Sequence, residues 1–233
     1  MSILSLLCAH DVGALRALWH SADFAKTGMI FGDGSTAASA AGTVIFHGMA
    51  FQYEIETVSQ VTADHFIFCR SETTAFQSAI QLRLGSAVAS GRGVPAVVLA
   101  LLELGTVLGK ALDAAAVHWR PSAIISGFDY FHESVAQYAD GGAFPAMCCV
   151  GFDVTLPDVV RTCGLKWLSG QELVFEHPGL PRHEAMRYVV RLVHDIATQG
   201  AINAPVDVRG LKAGEMVRLN PDPESRTLFA RLN

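Results

Sequence analysis

Thr43-Val-Ile-Phe-His-Gly-Met-Ala-Phe-Gln-Tyr-Glu-Ile-Glu-Thr-Val58 is the stretch that decides the architecture. Phe51, Tyr53 and Ile55 alternate with Gln52, Glu54 and Glu56, the period of a strand with one buried face and one wet face. Thr43 to His47 is a second extended run, and the chain turns around Gly48 between the two. Sequential strands joined this tightly pair antiparallel, which separates the chain from doubly wound parallel folds.

Outward from this hairpin the pattern alternates between strands and helices. Ser2 to Ala9 reads as a strand. Asp11 then caps a short helix whose stripe is Val12, Leu15, Leu18, Trp19 and Ala22. Lys26 to Gly42 reads as a Gly-, Ser- and Ala-rich loop. His65 to Cys69 and Ile80 to Leu84 read as further strands. Gly93 and Pro95 open a long helix running to Leu112, since proline suits a first helical turn. Only Glu103, Thr106 and Lys110, spaced by three and four, break its apolar surface, so it belongs in the core. Ala114 to Trp119 is a strand. Ser126 with Asp129 forms a capping box for a helix carrying Phe128, Phe131, Val135 and Tyr138, and Gly141-Gly142 stops it.

Pro145 to Val154 reads as a strand. Val160 to Trp167 pairs with Glu172 to Glu176 around Ser169-Gly170. An amphipathic helix starts at Pro181, turns Met186, Val189, Val190, Val193, Ile196 and Ala197 inward, and ends at Gly200. Short strands follow at Val206 to Arg209, Met216 to Leu219 and Thr227 to Leu232. The expected fold is α+β, with mainly antiparallel sheets packed against about four helices. It forms either a single domain over residues 1–233 or two fused subdomains near 1–90 and 91–233.

Composition excludes several function classes. The chain has 233 residues, 51% hydrophobic and 17% charged, as a core-forming globular sequence requires. Its 17 basic and 22 acidic residues give a formal charge of −5. Duplex nucleic acid needs several phosphate contacts from Lys and Arg, and an anionic membrane surface needs a basic cluster. Neither partner is expected. The apolar start lacks a basic n-region and meets Asp11 early, so it does not read as a signal peptide. Val94 to Leu112 contains Pro95, Glu103 and Lys110, so it reads as a buried helix and not as a span through lipid. The expected compartment is the cytoplasm.

Motifs point the same way. The five cysteines, Cys8, Cys69, Cys148, Cys149 and Cys163, include no CxxC. They read as small buried hydrophobes, with Cys148 and Cys149 on opposite faces of a strand. No HExxH or HxxxH occurs among the nine histidines, so no metal is expected. Gly28-Met-Ile-Phe-Gly-Asp-Gly34 matches neither nucleotide-binding glycine pattern, no cofactor is expected, and G-x-S-x-G is missing.

The densest chemistry lies at His118-Trp-Arg-Pro121. Trp119 beside Arg120 can wall a pocket, and Glu172, just past the Ser169-Gly170 turn, can supply a carboxylate. The alternative is a core-capping aromatic and a turn-bonding glutamate. His183, Arg187 and Arg191 form a mildly basic stripe on the helix after Pro181, suited to an anion or a partner, or simply to solvent.

Val117-His-Trp119, the Ser126 helix, Thr162-x-Gly-Leu165 and Gly170-x-Glu-Leu173 together resemble a bacterial family catalogued as domain of unknown function 4261. The following amphipathic helix and the turn from Val208 to Glu215 fit the same pattern. The resemblance spans roughly residues 75 to 220. It implies no particular activity, since the family carries no established one. Two readings follow. One is a non-enzymatic cytosolic protein that binds a protein partner or itself, as an accessory or immunity-type protein. The other is a small-ligand binder or hydrolase-like enzyme with a pocket near Trp119, Arg120 and Glu172. Convergence of these groups in a deep pocket would favour the second.

Overall fold

The structure is a computed structural model that describes residues 2–32, 40–58, 65–69 and 76–233. The fold is α+β, built as two compact units, Met1–Gly142 and Ala143–Asn233. Residues 90 and 91 lie within the first unit, because strands on both sides of them belong to one sheet.

The first unit runs β1 (Leu4–Cys8), α1 (Val12–Ser21), β2 (Ile30–Phe31), β3 (Ala41–Phe46), β4 (Met49–Thr57), β5 (His65–Ile67), β6 (Ser78–Leu84), α2 (Pro95–Ala111), β7 (Ala114–Trp119), β8 (Ile124–Gly127) and α3 (Phe128–Ala139). Its sheet has the order β2-β3-β4-β6-β1-β7-β8-β5. All neighbours are antiparallel except β5 and β8. The deciding hairpin forms as expected, with Phe46 opposite Met49. His47 and Gly48 make the two-residue turn at φ 49° and 75°. Two positive φ values in succession define the type I′ turn, whose twist matches that of paired strands.

Alternation along the strands gives this sheet one apolar face and one that mixes polar and apolar side chains. Tyr53, Leu82, Leu4 and Trp119 lie in register across it, and all are buried. On this side α1 presses Trp19 against Tyr53, ring centres 4.9 Å apart. Asp11 caps α1 as expected, accepting the Ala14 N–H at 2.8 Å. The long core helix is α2, with Pro95 in its first turn. Glu103 and Thr106 are half-buried, Lys110 is exposed, and Leu101, Leu102, Leu104 and Leu108 are fully buried.

The opposite row is Glu54, Gln81, Ser5 and His118. Between β4 and β6 the chain visits β5 at the far edge and returns. The described parts of that excursion, Val58, Cys69 and Phe76, pack on Leu7, Ala79, Ala116 and Ile125.

The second unit contains α4 (Ala146–Cys149), β9 (Gly151–Asp153), β10 (Val159–Cys163), α5 (Leu165–Ser169), β11 (Glu172–Glu176), α6 (Arg182–Gln199), β12 (Val206–Arg209), β13 (Met216–Asp222) and β14 (Thr227–Leu232). Its sheet order is β12-β13-β14-β11-β10-β9, with only β11 and β14 parallel. Of the residues expected to face inward on α6, Val189, Val193, Ile196 and Ala197 are buried and Met186 and Val190 half-buried, while Ala185, Tyr188 and Leu192 complete the buried stripe.

Three local expectations are corrected. Pro145 to Val154 is not one strand: α4 and the short β9 occupy it, because a brief apolar run fits a buried helix as well as a strand. Cys148 and Cys149 therefore sit in a helical turn, both buried. The hairpin pairs as expected, Val160 opposite Phe175, but α5 fills its connection between Gly164 and Gly170, at φ 88° and 83°. Ser126 does not cap α3. It pairs opposite Val117 in β8, and Gly127 takes the cap position. Part of the expected loop from Lys26 to Gly42, residues 33–39, lies outside the described residues; the rest contains β2 and the start of β3. No helix among the described residues is long and apolar enough to cross a membrane.

Candidate functional site

His118, Trp119 and Arg120 stay close in the first unit but serve the sheet. Trp119 is buried on the helix side. His118 faces the other way and is 8% exposed. Burial first, then the nearby Arg120 charge, pushes its pKa down to about 4. Its Nε2 is buried and finds no partner among the described residues. Arg120 donates from Nε to Ser5 Oγ at 3.1 Å. Its guanidinium also lies 3.7 Å from Glu56 Oε1, which accepts from the Gln81 amide. This network ties the turn after β7 to β1, β4 and β6.

Glu172 belongs to the second unit and closes the α5 turn there. It accepts from Gly164 N–H at 2.8 Å and from Thr162 Oγ1 at 2.7 Å. Two such bonds are worth about 2 kcal/mol together. Glu172→Ala is therefore expected to lower the urea midpoint of the second unit, with Glu172→Gln losing roughly half as much. Equal midpoints for wild type and Glu172→Ala would refute that local role.

The basic stripe on α6 is partly consumed. Arg191 bonds the Gly210 carbonyl and pairs with Asp195 at 4.0 Å, while His183 and Arg187 are exposed. His194 on the same helix accepts the Phe144 N–H at 3.0 Å.

A cleft lies elsewhere in the first unit, at the end where β5 and β8 finish and β7 begins. It encloses about 740 Å³. Phe68 and Cys69 follow β5, Asp113 and Ala114 open β7, and the first turns of α3 form the opposite wall. Ala115 in this cleft and His118 are three residues apart on β7, roughly 10 Å along a strand.

Close backbone approach creates the cleft's floor. A Cβ at Gly127 would stand 2.2 Å from the Phe68 carbonyl oxygen, so only glycine lets β5 pair here. Phe68 then projects outward, 71% exposed, with its ring 4.6 Å from that of Tyr130.

Asp113 accepts from His10 at 3.2 Å. Asp129 and Glu133 are exposed on α3, one turn apart, and neither has a cationic partner among the described residues. Like charges at this spacing cost a few tenths of a kcal/mol. Asp129 in the first turn is favoured by the helix dipole, and Glu133 is not.

The groups whose protonation is most displaced line neither wall. Cys8 is pushed up to about 12 by burial and by Asp113. Burial also pushes Cys149 up, and Tyr188 rises to about 12 through burial and its bond to Glu215. Among the described residues no group of three His, Cys, Asp or Glu side chains is arranged to hold a metal ion.

Sequence reasoning missed this cleft. A usable signal existed: Phe128 to Ala139 carries Asp129 and Glu133 but no Lys or Arg. No family model, curated protein or solved structure matches the chain.

Proposed function

We propose that this is a cytoplasmic, non-enzymatic protein that acts by binding a protein partner, with the cleft at the start of α3 as its docking site. The observation that carries this reading is an exposed aromatic lip beside Asp129 and Glu133, which have no cationic partner among the described residues. Active sites concentrate side chains with displaced pKa values. Here Cys8, His118, Cys149 and Tyr188 all lie outside the cleft. Exposed aromatic side chains are instead enriched at recognition surfaces. Nucleic acid is not proposed, since the cleft carries acid where phosphate contacts need base. The resemblance to domain of unknown function 4261 belongs to this proposal and adds no activity.

A second reading keeps one support: Cys69, His132 and Glu133 line the same cleft. It makes the protein a thiol-dependent hydrolase. An esterase, phosphatase and peptidase panel separates the two. The binding reading expects no turnover. It also expects a photo-crosslinking phenylalanine analogue in place of Tyr130 to trap one discrete species in cells, while the same analogue in place of Arg187 traps none. Turnover lost in Cys69→Ala and His132→Ala overturns the binding reading, and so does equal trapping at both positions.

A further inference from the structure

We infer that the occupant of the α3 cleft is a basic segment of the partner protein, seating an arginine guanidinium on the Phe68–Tyr130 rings between Asp129 and Glu133. This rests on the docking reading above and assigns its chemistry. Residues three and four apart on a helix are surface neighbours, so Glu133 adjoins both Asp129 and Tyr130. The three positions form one triangle of two carboxylates and an aromatic ring. Phe68 packs its ring on Tyr130 and stays largely exposed, which leaves a π-face at the lip. A guanidinium satisfies both halves, because it stacks on rings and bonds carboxylates through a planar fork.

A strongly hydrated ammonium gains less from the rings. An anion at this helix start would meet Asp113, Asp129 and Glu133 together.

The occupant is a polypeptide because the apolar surface runs past the cleft. Phe66, two residues back along β5, is also exposed at 42%. Among the described residues β5 pairs only with β8 and is the last strand of its sheet. An extended segment can lie along that edge while its cationic side chain enters the cleft. The chain's formal charge of −5 favours such an encounter at long range.

The test uses the full-length protein and tetramethylrhodamine-labelled hexa-arginine, followed by fluorescence anisotropy at low salt. Hexa-arginine is expected to bind several-fold tighter than hexa-lysine, and hexa-glutamate not at all. The double variant Asp129→Asn/Glu133→Gln is expected to weaken binding about tenfold. Phe68→Ala should weaken it about threefold. The remote double variant Glu176→Gln/Glu224→Gln should stay within about twofold. Equal losses in the cleft and remote variants, or equal affinity for arginine and lysine peptides, overturn the inference. Displacement of hexa-arginine by equimolar spermine also overturns it, in favour of a small polycation. Crosslinking at Tyr130 separates the two proposals. Trapping of a cellular partner that excess hexa-arginine, added to lysate before irradiation, fails to suppress sinks the basic segment and leaves docking standing. Loss of trapping altogether sinks both.

Discussion

Gly127→Ala is expected to lower the thermal midpoint of the first unit by about 10 °C, the effect of roughly 3 kcal/mol in a unit of this size. The added methyl would stand 2.2 Å from the Phe68 carbonyl oxygen, a backbone atom held by the pairing of β5 with β8. Relief requires β5 to leave the sheet, taking Phe68 and one wall of the cleft with it. Gly109→Ala is the instructive contrast. Its Cβ would also stand too close, 2.1 Å, but to the ring of Phe128, which is half-buried and can turn. Alanine recovers about 1 kcal/mol of helix propensity in α2, so its net stability change should be small. Calorimetry on the two variants checks this. Equal midpoints would show that β5 yields as easily as a side chain does.

Acidification should destabilise the protein through His118. Its pKa is near 6.5 when unfolded and about 4 in the folded chain. Between those values the unfolded chain takes a proton that the folded chain refuses. Stability is therefore full above about pH 6.5, falls as pH drops, and stops falling from this source below about 4. The whole loss is about 3 kcal/mol at most. Exposed carboxylates contribute mainly toward the acid end of the window. In His118→Phe the slope between pH 6.5 and 5 should flatten, since Nε2 has no partner among the described residues to lose. Urea midpoints at half-unit pH intervals measure it. An unchanged slope in the variant would refute the assignment.

Elements with strong local signals were legible. The β3–β4 alternation, the Asp11 cap, the nearly continuous apolar surface of α2 and the stripe of α6 each carry their own signal, so reading them needs no neighbours. The failures occurred where a neighbour decides. Ser126 and Asp129 have capping-box spacing, but strand pairing to Val117 holds Ser126 extended. The run after Pro145 has no period long enough to choose between helix and strand. The candidate site failed for a related reason. His118, Trp119 and Arg120 are adjacent in sequence, and strand alternation sends Trp119 to one face and His118 to the other. The pairing of β7 with β8 brings Asp113 and Asp129 to the cleft, and Phe68 joins them only because β5 travels to the far edge of the sheet. That journey leaves no mark on local composition.

The position of β14 has a consequence for biogenesis. It lies inside its sheet, between β13 and β11, so β9, β10 and β11 wait as a half-sheet with an open edge until residues through Leu232 have left the ribosome. In the first unit the order is reversed: β1 is made first and sits in the interior, ready for β6 and β7 to flank it. During translation the first unit can close around its own earliest segment, whereas the second is completed by its latest. An unpaired edge in a nascent chain invites mispairing and chaperone capture. A slowdown in decoding just before Thr227 would thus fall on the second unit, after the first has already folded.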